Sequence, residues 1–271
     1  MRLGYQKGKS LKLSFLAALK FLTIIRFPLR REATPEELGC SQVYFPVVGI
    51  IIGLILAGLN WLLGLALPPT VVNVLLIASL AGITGALHLD GFADTCDGIG
   101  GQKTVEARWQ AMRDSRVGGF GVIGVSLLLL VKFISLNSVP PSMMTLTLIL
   151  MPVISRWAMV YALFAYPYAR PEGLGTVFKQ QASPQRFSVA TIITLAVVML
   201  LTLLPNVAYS YLAALVLMGG TWVIATAAAT YLKRKFVGLT GDNYGAINEI
   251  AEVSVLILVS MLAHNQWLGL A

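Results

Sequence analysis

Seven long apolar runs dominate this 271-residue chain, at 43–67, 70–89, 119–136, 142–166, 187–204, 208–232 and 245–263. Each is close to the ~20 residues that a helix needs to cross the hydrocarbon core of a bilayer. Inside that core every backbone N–H and C=O must find a partner within the protein, which leaves helices or a closed barrel, and continuous runs of this length read as helices. The sequence therefore predicts an all-α fold, a polytopic integral membrane bundle of about seven transmembrane helices. A content of 57% hydrophobic and only 12% charged residues, with a mean hydropathy of +0.78, excludes an ordinary soluble domain.

The segment 11–27 is also apolar, but Lys12, Lys20 and Arg26 interrupt it. That pattern suits an amphipathic helix lying in the membrane interface better than an ordinary span, with a re-entrant or an eighth spanning helix as the alternatives. Pro28, Arg30, Arg31 and the Pro35-Glu36-Glu37 stretch follow as a charged link, and no small-residue cleavage site is present. The expected organisation is a cytoplasmic N-terminal segment, 1–42, and a single transmembrane catalytic domain, 43–271.

Charge sets the expected topology. The net charge is +8, and ten of the twenty Lys and Arg residues fall in three connections, 90–118, 167–186 and 233–244, with eight more before the first run. The other connections, 68–69, 137–141 and 205–207, carry no charge. The positive-inside rule then puts the N-terminus and the three charged connections in the cytoplasm and the C-terminus outside, which an odd number of spans satisfies. No nucleic-acid partner is expected, since the basic charge comes without a reading element. The two cysteines, Cys40 and Cys96, have neither CxxC nor zinc-type spacing. No internal repeat of the transporter kind is visible, and Gly49, Gly53, Gly58, Gly219 and Gly220 within the runs point to close helix packing.

Chemistry concentrates in three polar stretches. At the end of the second run stands His88-Leu-Asp-Gly-Phe-Ala-Asp-Thr-Cys-Asp-Gly98. Asp90, Asp94 and Asp97 occupy i, i+4 and i+7, within a sector of roughly 60° on a helix. Three like charges so close repel unless a cation lies between them, and clustered carboxylates suit a hard divalent ion such as Mg²⁺, which leaves positions for substrate phosphates. A solvated, aspartate-rich helix end is the plainer alternative. Gly91 and Gly98 clear space for a phosphate or a neighbouring backbone. His88 points roughly 160° from Asp90 on a helix, which favours a packed histidine over a general base.

The second stretch, Met112-Arg-Asp-Ser-Arg-Val-Gly-Gly-Phe-Gly121, offers Arg113 and Arg116 as phosphate clamps and Asp114 as a metal ligand or arginine partner, although an Arg-Asp pair there can be an ordinary salt bridge. The third is Gly241-Asp-Asn-Tyr-Gly-Ala-Ile-Asn-Glu249 followed by Glu252. Asp242 and Glu249 share a helical face, while Asp242 could equally cap the last helix. Glu249 and Glu252 lie within a span, where ionisable groups are costly and read as functional or paired, with Arg156 as the candidate partner. His264 falls at the opposite membrane face.

His88-x-Asp-Gly-x-x-Asp-x-x-Asp-Gly98, Arg113-Asp-Ser-Arg-x-Gly118 and Gly241-Asp-x-x-Gly-Ala-x-x-Glu249 together resemble cobalamin synthase, or adenosylcobinamide-GDP ribazoletransferase, over most of the chain in length, topology and motif order. The resemblance implies a multi-pass, Mg²⁺-dependent transferase of the bacterial inner membrane with its site facing the cytoplasm. It implies the joining of adenosylcobinamide-GDP to α-ribazole or its 5′-phosphate, with release of GMP, by in-line attack of the ribazole 3′-hydroxyl on the cobinamide-bound phosphorus. On that basis Asp90, Asp94 and Asp97 are expected as metal ligands. Asp94, Asp97, Asp114 and Glu249 are the expected catalytic groups, and Arg113, Ser115, Arg116 and Asp242 the substrate-binding ones. Monomer and homo-oligomer both stay open.

Two other readings are carried alongside. CDP-alcohol phosphotransferases use aspartates on cytoplasmic-face helices, but their Asp-Gly-x-x-Ala-Arg and Gly-x3-Asp-x3-Asp pattern is not what stands here. A cation transporter would use Arg156, Glu249 and Glu252 as its conduction site.

Overall fold

The computed structural model describes residues 2–26, 31–114, 116–202 and 210–264. Helix α1 (Arg2–Leu22), the short α2 (Pro35–Cys40) and a 3₁₀ turn (Ser41–Tyr44) lead into α3 (Phe45–Gly64). Then come α4 (Pro69–Ile83), α5 (Leu87–Ile99), α6 (Val105–Ala111), α7 (Gly119–Asn137), α8 (Pro141–Ala165), α9 (Leu174–Gln180), α10 (Pro184–Thr202), α11 (Ser210–Phe236) and α12 (Gly241–His264). Among the described residues there is no strand, only one isolated parallel bridge between Tyr168 and Leu239. The chain is an all-helical membrane bundle, as its apolar runs predict. The expected runs 187–204 and 208–232 extend in part outside the described residues, as do Phe27, Pro28 and Arg30.

Helix α8 is the axis of the bundle. It is apolar on all sides and buried nearly throughout, the signature of a helix enclosed by others. Its contact with α3 is made possible by small residues. A Cβ on Gly49 would stand 2.5 Å from the Pro152 carbonyl oxygen, and one on Gly53 2.6 Å from Ile149 Cα. The two backbones thus meet where Pro152 already interrupts the α8 hydrogen-bond ladder. Gly58 and Gly219 face open space, so the close-packing expectation holds at Gly49, Gly53 and Gly220 but not at those two. Helix α1 is amphipathic as expected, burying Ala17, Ala18, Leu19 and Leu22 while Lys12 and Lys20 stay exposed. Phe21 from α1 packs on Phe45 of α3 and Phe178 of α9, with ring centroids 6.0 and 4.8 Å away.

Six helices, α3, α7, α8, α10, α11 and α12, are long and apolar enough to cross a membrane. The expected single run 70–89 is not one straight helix. Gly85 and Ala86 both adopt left-handed backbone (φ 60° and 56°), which ends α4 and turns α5 by 88°. Hydropathy carries no trace of such a bend, because Gly85, Ala86 and Leu87 are as apolar as the span before them. Helices α4 and α5 together thus form a seventh candidate crossing, broken at this bend, with α5 turned across the end of the bundle. Gly91 of α5 rests on the first turn of α12, and Asp97 meets the first turn of α7.

All three charged connections gather at this end. The Tyr168–Leu239 bridge joins the 166–173 connection to the 237–240 connection through Leu239 N–H to Pro167 O and Ala169 N–H to Leu239 O, both 2.8 Å. Arg108 of α6 donates to the Lys235 carbonyl at 2.8 Å. At the opposite end Asn73 and Asn137 hydrogen-bond at 3.1 Å, between α4 and α7.

Inside the bundle α7, α8 and α12 are tied by a buried ionic quartet. Lys132 Nζ lies 2.7 Å from Glu249 Oε2 and 2.6 Å from Glu252 Oε2, and Arg156 pairs with Glu252. Two cations face two anions with no side chain more than 5% exposed, so each charge needs the others. Arg156 is thus the partner expected for Glu252. Lys132, which takes Glu249, is not singled out by sequence reasoning. The signal was present: two glutamates and one arginine leave an anion unpaired, and Lys132 is the only lysine inside the seven long apolar runs.

Candidate active site

The aspartate motif forms α5, and its glycines determine how α5 sits. A Cβ on Gly91 would stand 2.8 Å from the Asp242 carbonyl oxygen, so only glycine lets the α5 backbone lie against the start of α12. Gly245 of α12 returns the contact, with its Cβ position 3.2 Å from His88 Cα. What approaches Gly91 is thus a neighbouring backbone.

The three motif aspartates have different surroundings. Asp97 accepts Gly118 N–H on Oδ2 and Gly121 N–H on Oδ1, both at 2.8 Å, and so holds the N-terminus of α7 with both oxygens. Asp90 is exposed. Asp94 is half-buried, and burial together with the charges of Asp242, Asp90 and Asp97 pushes its carboxyl up to about 7, against the weaker opposing pull of Arg170. Among the described residues no three His, Cys, Asp or Glu side chains converge closely enough to hold a metal ion. The donor chemistry nevertheless fits Mg²⁺, which takes hard oxygen ligands and is usually bound through one or two carboxylates plus substrate phosphates. Asp94, whose ionisation its neighbours oppose, is where a cation would relieve the most repulsion.

Asp242 is freed from the capping role that its position allowed. Thr240 caps α12 instead: its Oγ1 accepts Asn243 N–H at 3.3 Å, while the Asn243 side chain accepts Thr240 N–H at 3.0 Å. Asn243 also donates to Thr95 Oγ1 at 3.0 Å, locking α12 to α5. Asp242 faces Arg170, with Oδ2 3.6 Å from Nη2.

Arg170, Asp242, Asp90 and His88 line a cavity of about 280 Å³ between α1, α3, α5, α8, α9 and α12. Its remaining wall is largely aromatic and aliphatic, including Phe21, Phe45, Phe178, Tyr168 and Tyr244. Several polar atoms in that wall have no hydrogen-bond partner: Nε and Nη2 of Arg170, the Tyr244 hydroxyl, and both ring nitrogens of His88. His88 is 1% exposed, and burial, with the positive charge of Arg156 next, lowers its pKa to about 3, so the ring is neutral. It is packed, as its helical angle suggested, but against a cavity.

The second stretch lies elsewhere. Arg113, Asp114 and Arg116 are exposed between α6 and α7, outside the cavity lining. Arg116 closes on Asp114 through Nη2 at 3.0 Å and Nε at 3.1 Å, and this hydrogen-bonded pair lowers the Asp114 pKa to about 2. Ser115 lies outside the described residues. Glu249 sits in the buried quartet, apart from the aspartates. Arg170, Tyr168 and Tyr244 escape sequence reasoning. Arg170 sits in an unpatterned loop, and only the Tyr168–Leu239 bridge brings it to Asp242.

Bundle and cavity together define a polytopic helical membrane protein with an acidic, arginine-bearing pocket at one end. The family model for cobalamin-5-phosphate synthase matches residues 14–260, and the chain belongs to that family. It is similar to an adenosylcobinamide-GDP ribazoletransferase of Geotalea daltonii, 38% identical over 92% of this chain and 96% of the relative. Proteins of the same description from Syntrophobacter fumaroxidans (40% identical, 89% of this chain and 96% of the relative) and Roseiflexus sp. (34% identical, 91% and 88%) are also similar. No solved structure matches the chain.

Proposed function

We propose that this protein transfers α-ribazole, or its 5′-phosphate, to adenosylcobinamide-GDP with release of GMP, as the ribazoletransferase name of its relatives describes. The observation that carries the reading to these residues is the joint placement of Asp90, Asp242 and Arg170 in the wall of one cavity, with Asp94 beside it and within electrostatic reach of all three. Carboxylates and an unsatisfied guanidinium side by side suit a diphosphate and a hydroxyl that must lose its proton.

The ribazole 3′-hydroxyl oxygen forms a bond to the cobinamide-side phosphorus as the P–O bond to GMP breaks. Arg170, with its planar fork, binds the non-bridging phosphate oxygens and orients the phosphorus. Asp94 or Asp242 accepts the hydroxyl proton, and a carboxyl near neutrality such as Asp94 is poised for that exchange. Asp97, anchored to the α7 amides, holds α5 in register. Mg²⁺ held by Asp94 with Asp90 or Asp242 would neutralise diphosphate charge. The concentration of positive charge at this end supports a cytoplasm-facing site in the bacterial inner membrane.

The test is GMP formation by the purified protein from adenosylcobinamide-GDP and α-ribazole, with and without Mg²⁺. Turnover only with Mg²⁺ is expected. Cation flux into sealed vesicles, with no GMP formed, would overturn the reading.

A further inference from the structure

The cavity and the aspartate face are adjacent, but they differ in size and chemistry. At about 280 Å³ the cavity lies at the lower edge of the roughly 300–1,000 Å³ range of drug-sized ligand sites. A nucleoside fits such a volume; a corrin macrocycle with its side chains does not. The walls suit a flat apolar ring. Phe45 and Phe178 meet edge to face at 5.6 Å, and Tyr168 and Tyr244 lie nearly parallel, 12° apart. Among the lining residues, His88 and Tyr244, 1% and 4% exposed, carry ring nitrogens and a hydroxyl without partners, the donor and acceptor types that a heterocycle bearing a ring nitrogen requires. At the mouth, Asp90 and Asp242 are placed for a sugar, and Arg170 stands beside them for the phosphate that it meets.

We propose that this cavity is the acceptor-nucleoside subsite: it takes the ribazole base inside, presents the ribose at the rim beside Asp90 and Asp242, and leaves corrinoid and guanosine diphosphate outside. The assignment rests on the ribazoletransferase reading and adds where each substrate binds. It also makes the 166–173 connection the segment where the two substrates meet, with Tyr168 against the nucleoside and Arg170 on the diphosphate.

Two variants test it. Tyr244→Phe keeps the ring and removes only the hydroxyl, and Met159→Trp fills the cavity from α8, with Met159→Leu as the volume-conserving control. The readouts are calorimetric binding of α-ribazole alone and the separate KM values of the two substrates. Tyr244→Phe is expected to raise KM for α-ribazole about tenfold, with KM for adenosylcobinamide-GDP within twofold of the unsubstituted protein. Met159→Trp should abolish α-ribazole binding, and Met159→Leu should keep it. An unchanged ribazole KM in Tyr244→Phe together with full ribazole binding in Met159→Trp overturns the subsite while leaving the activity standing. So does a rise confined to the corrinoid KM. Absence of turnover in the unsubstituted protein defeats the ribazoletransferase reading itself, and the subsite with it.

Discussion

Replacing Asp94 by Asn separates stability from activity, because the same electrostatic strain enters both. Burial and three neighbouring carboxylates raise the Asp94 pKa from the ordinary 3.8 to about 7. At ~1.4 kcal/mol per factor of ten, a rise of that size corresponds to roughly 4 kcal/mol. Asp94 is only half-buried, and screening by solvent reduces the figure to ~1–2 kcal/mol. The sign follows from proton binding. The folded-state pKa lies above the unfolded one, so between about pH 4 and 7 the native protein holds a proton that the unfolded chain has lost. The Asp94 contribution is therefore fully present below about pH 4 and is lost as pH rises through 7. Asparagine has the same shape without the charge. Asp94→Asn should melt on the order of 2–6 °C above the unsubstituted protein at pH 8 in the absence of Mg²⁺, the gain shrinking as the pH is lowered. Added Mg²⁺ should stabilise the unsubstituted protein and not the variant, since binding the ion requires the ionised carboxylate. GMP release should be lost. Thermal unfolding in detergent at several pH values, with and without Mg²⁺, checks the first claims. A variant that melts at or below the parent at pH 8 refutes the electrostatic reasoning, and near-normal turnover refutes the role in catalysis.

Gly91→Ala should cost ~1–3 kcal/mol and lower kcat, because its Cβ would stand 2.8 Å from a backbone oxygen that can yield only if α12 shifts; melting and GMP release report the two effects. Glu252→Gln leaves Lys132 and Arg156 sharing the single carboxylate of Glu249, and should destabilise the bundle by ~3–5 kcal/mol. A melting temperature within 2 °C of the parent, a shift of roughly 1 kcal/mol or less, would show the quartet to be dispensable. Arg170→Lys keeps the charge but loses the planar fork, so kcat/KM for adenosylcobinamide-GDP should fall about tenfold or more while the melting temperature holds.

The helical class and the positions of the spans are legible in sequence because the bilayer imposes length and apolarity on every crossing. The bend at Gly85 and Ala86 is not, since it depends on two backbone angles and leaves hydropathy untouched. The same distinction runs through the site. Asp90 and Asp94 announce themselves by local spacing, and Gly91 by its place beside them. Arg170 does not, being 72 residues from its partner Asp242 and without pattern of its own. The Arg113–Arg116 stretch shows the opposite error that local chemistry invites. Its guanidiniums look aimed at phosphate, yet Arg116 has an intramotif partner in Asp114, and what this stretch gives α5 is the pair of amides, at Gly118 and Gly121, that hold Asp97.

The two charged clusters of the molecule differ in one respect that separates an enzyme from a transporter. Lys132, Arg156, Glu249 and Glu252 sum to zero and are joined by short ion pairs, so no net charge is left there for an ion to balance. An ion entering there would have to displace a partner already in place, at the cost of leaving a buried charge unpaired. Asp90, Asp94 and Asp242 are faced by the single guanidinium of Arg170, which stops 3.6 Å short of Asp242. The negative excess lies on the rim, where a substrate can reach it, and not in the membrane interior. A site whose charge is completed only by what binds to it suits turnover at the bundle end, while the quartet, neutral in sum, holds α7, α8 and α12 in the positions that the rim requires.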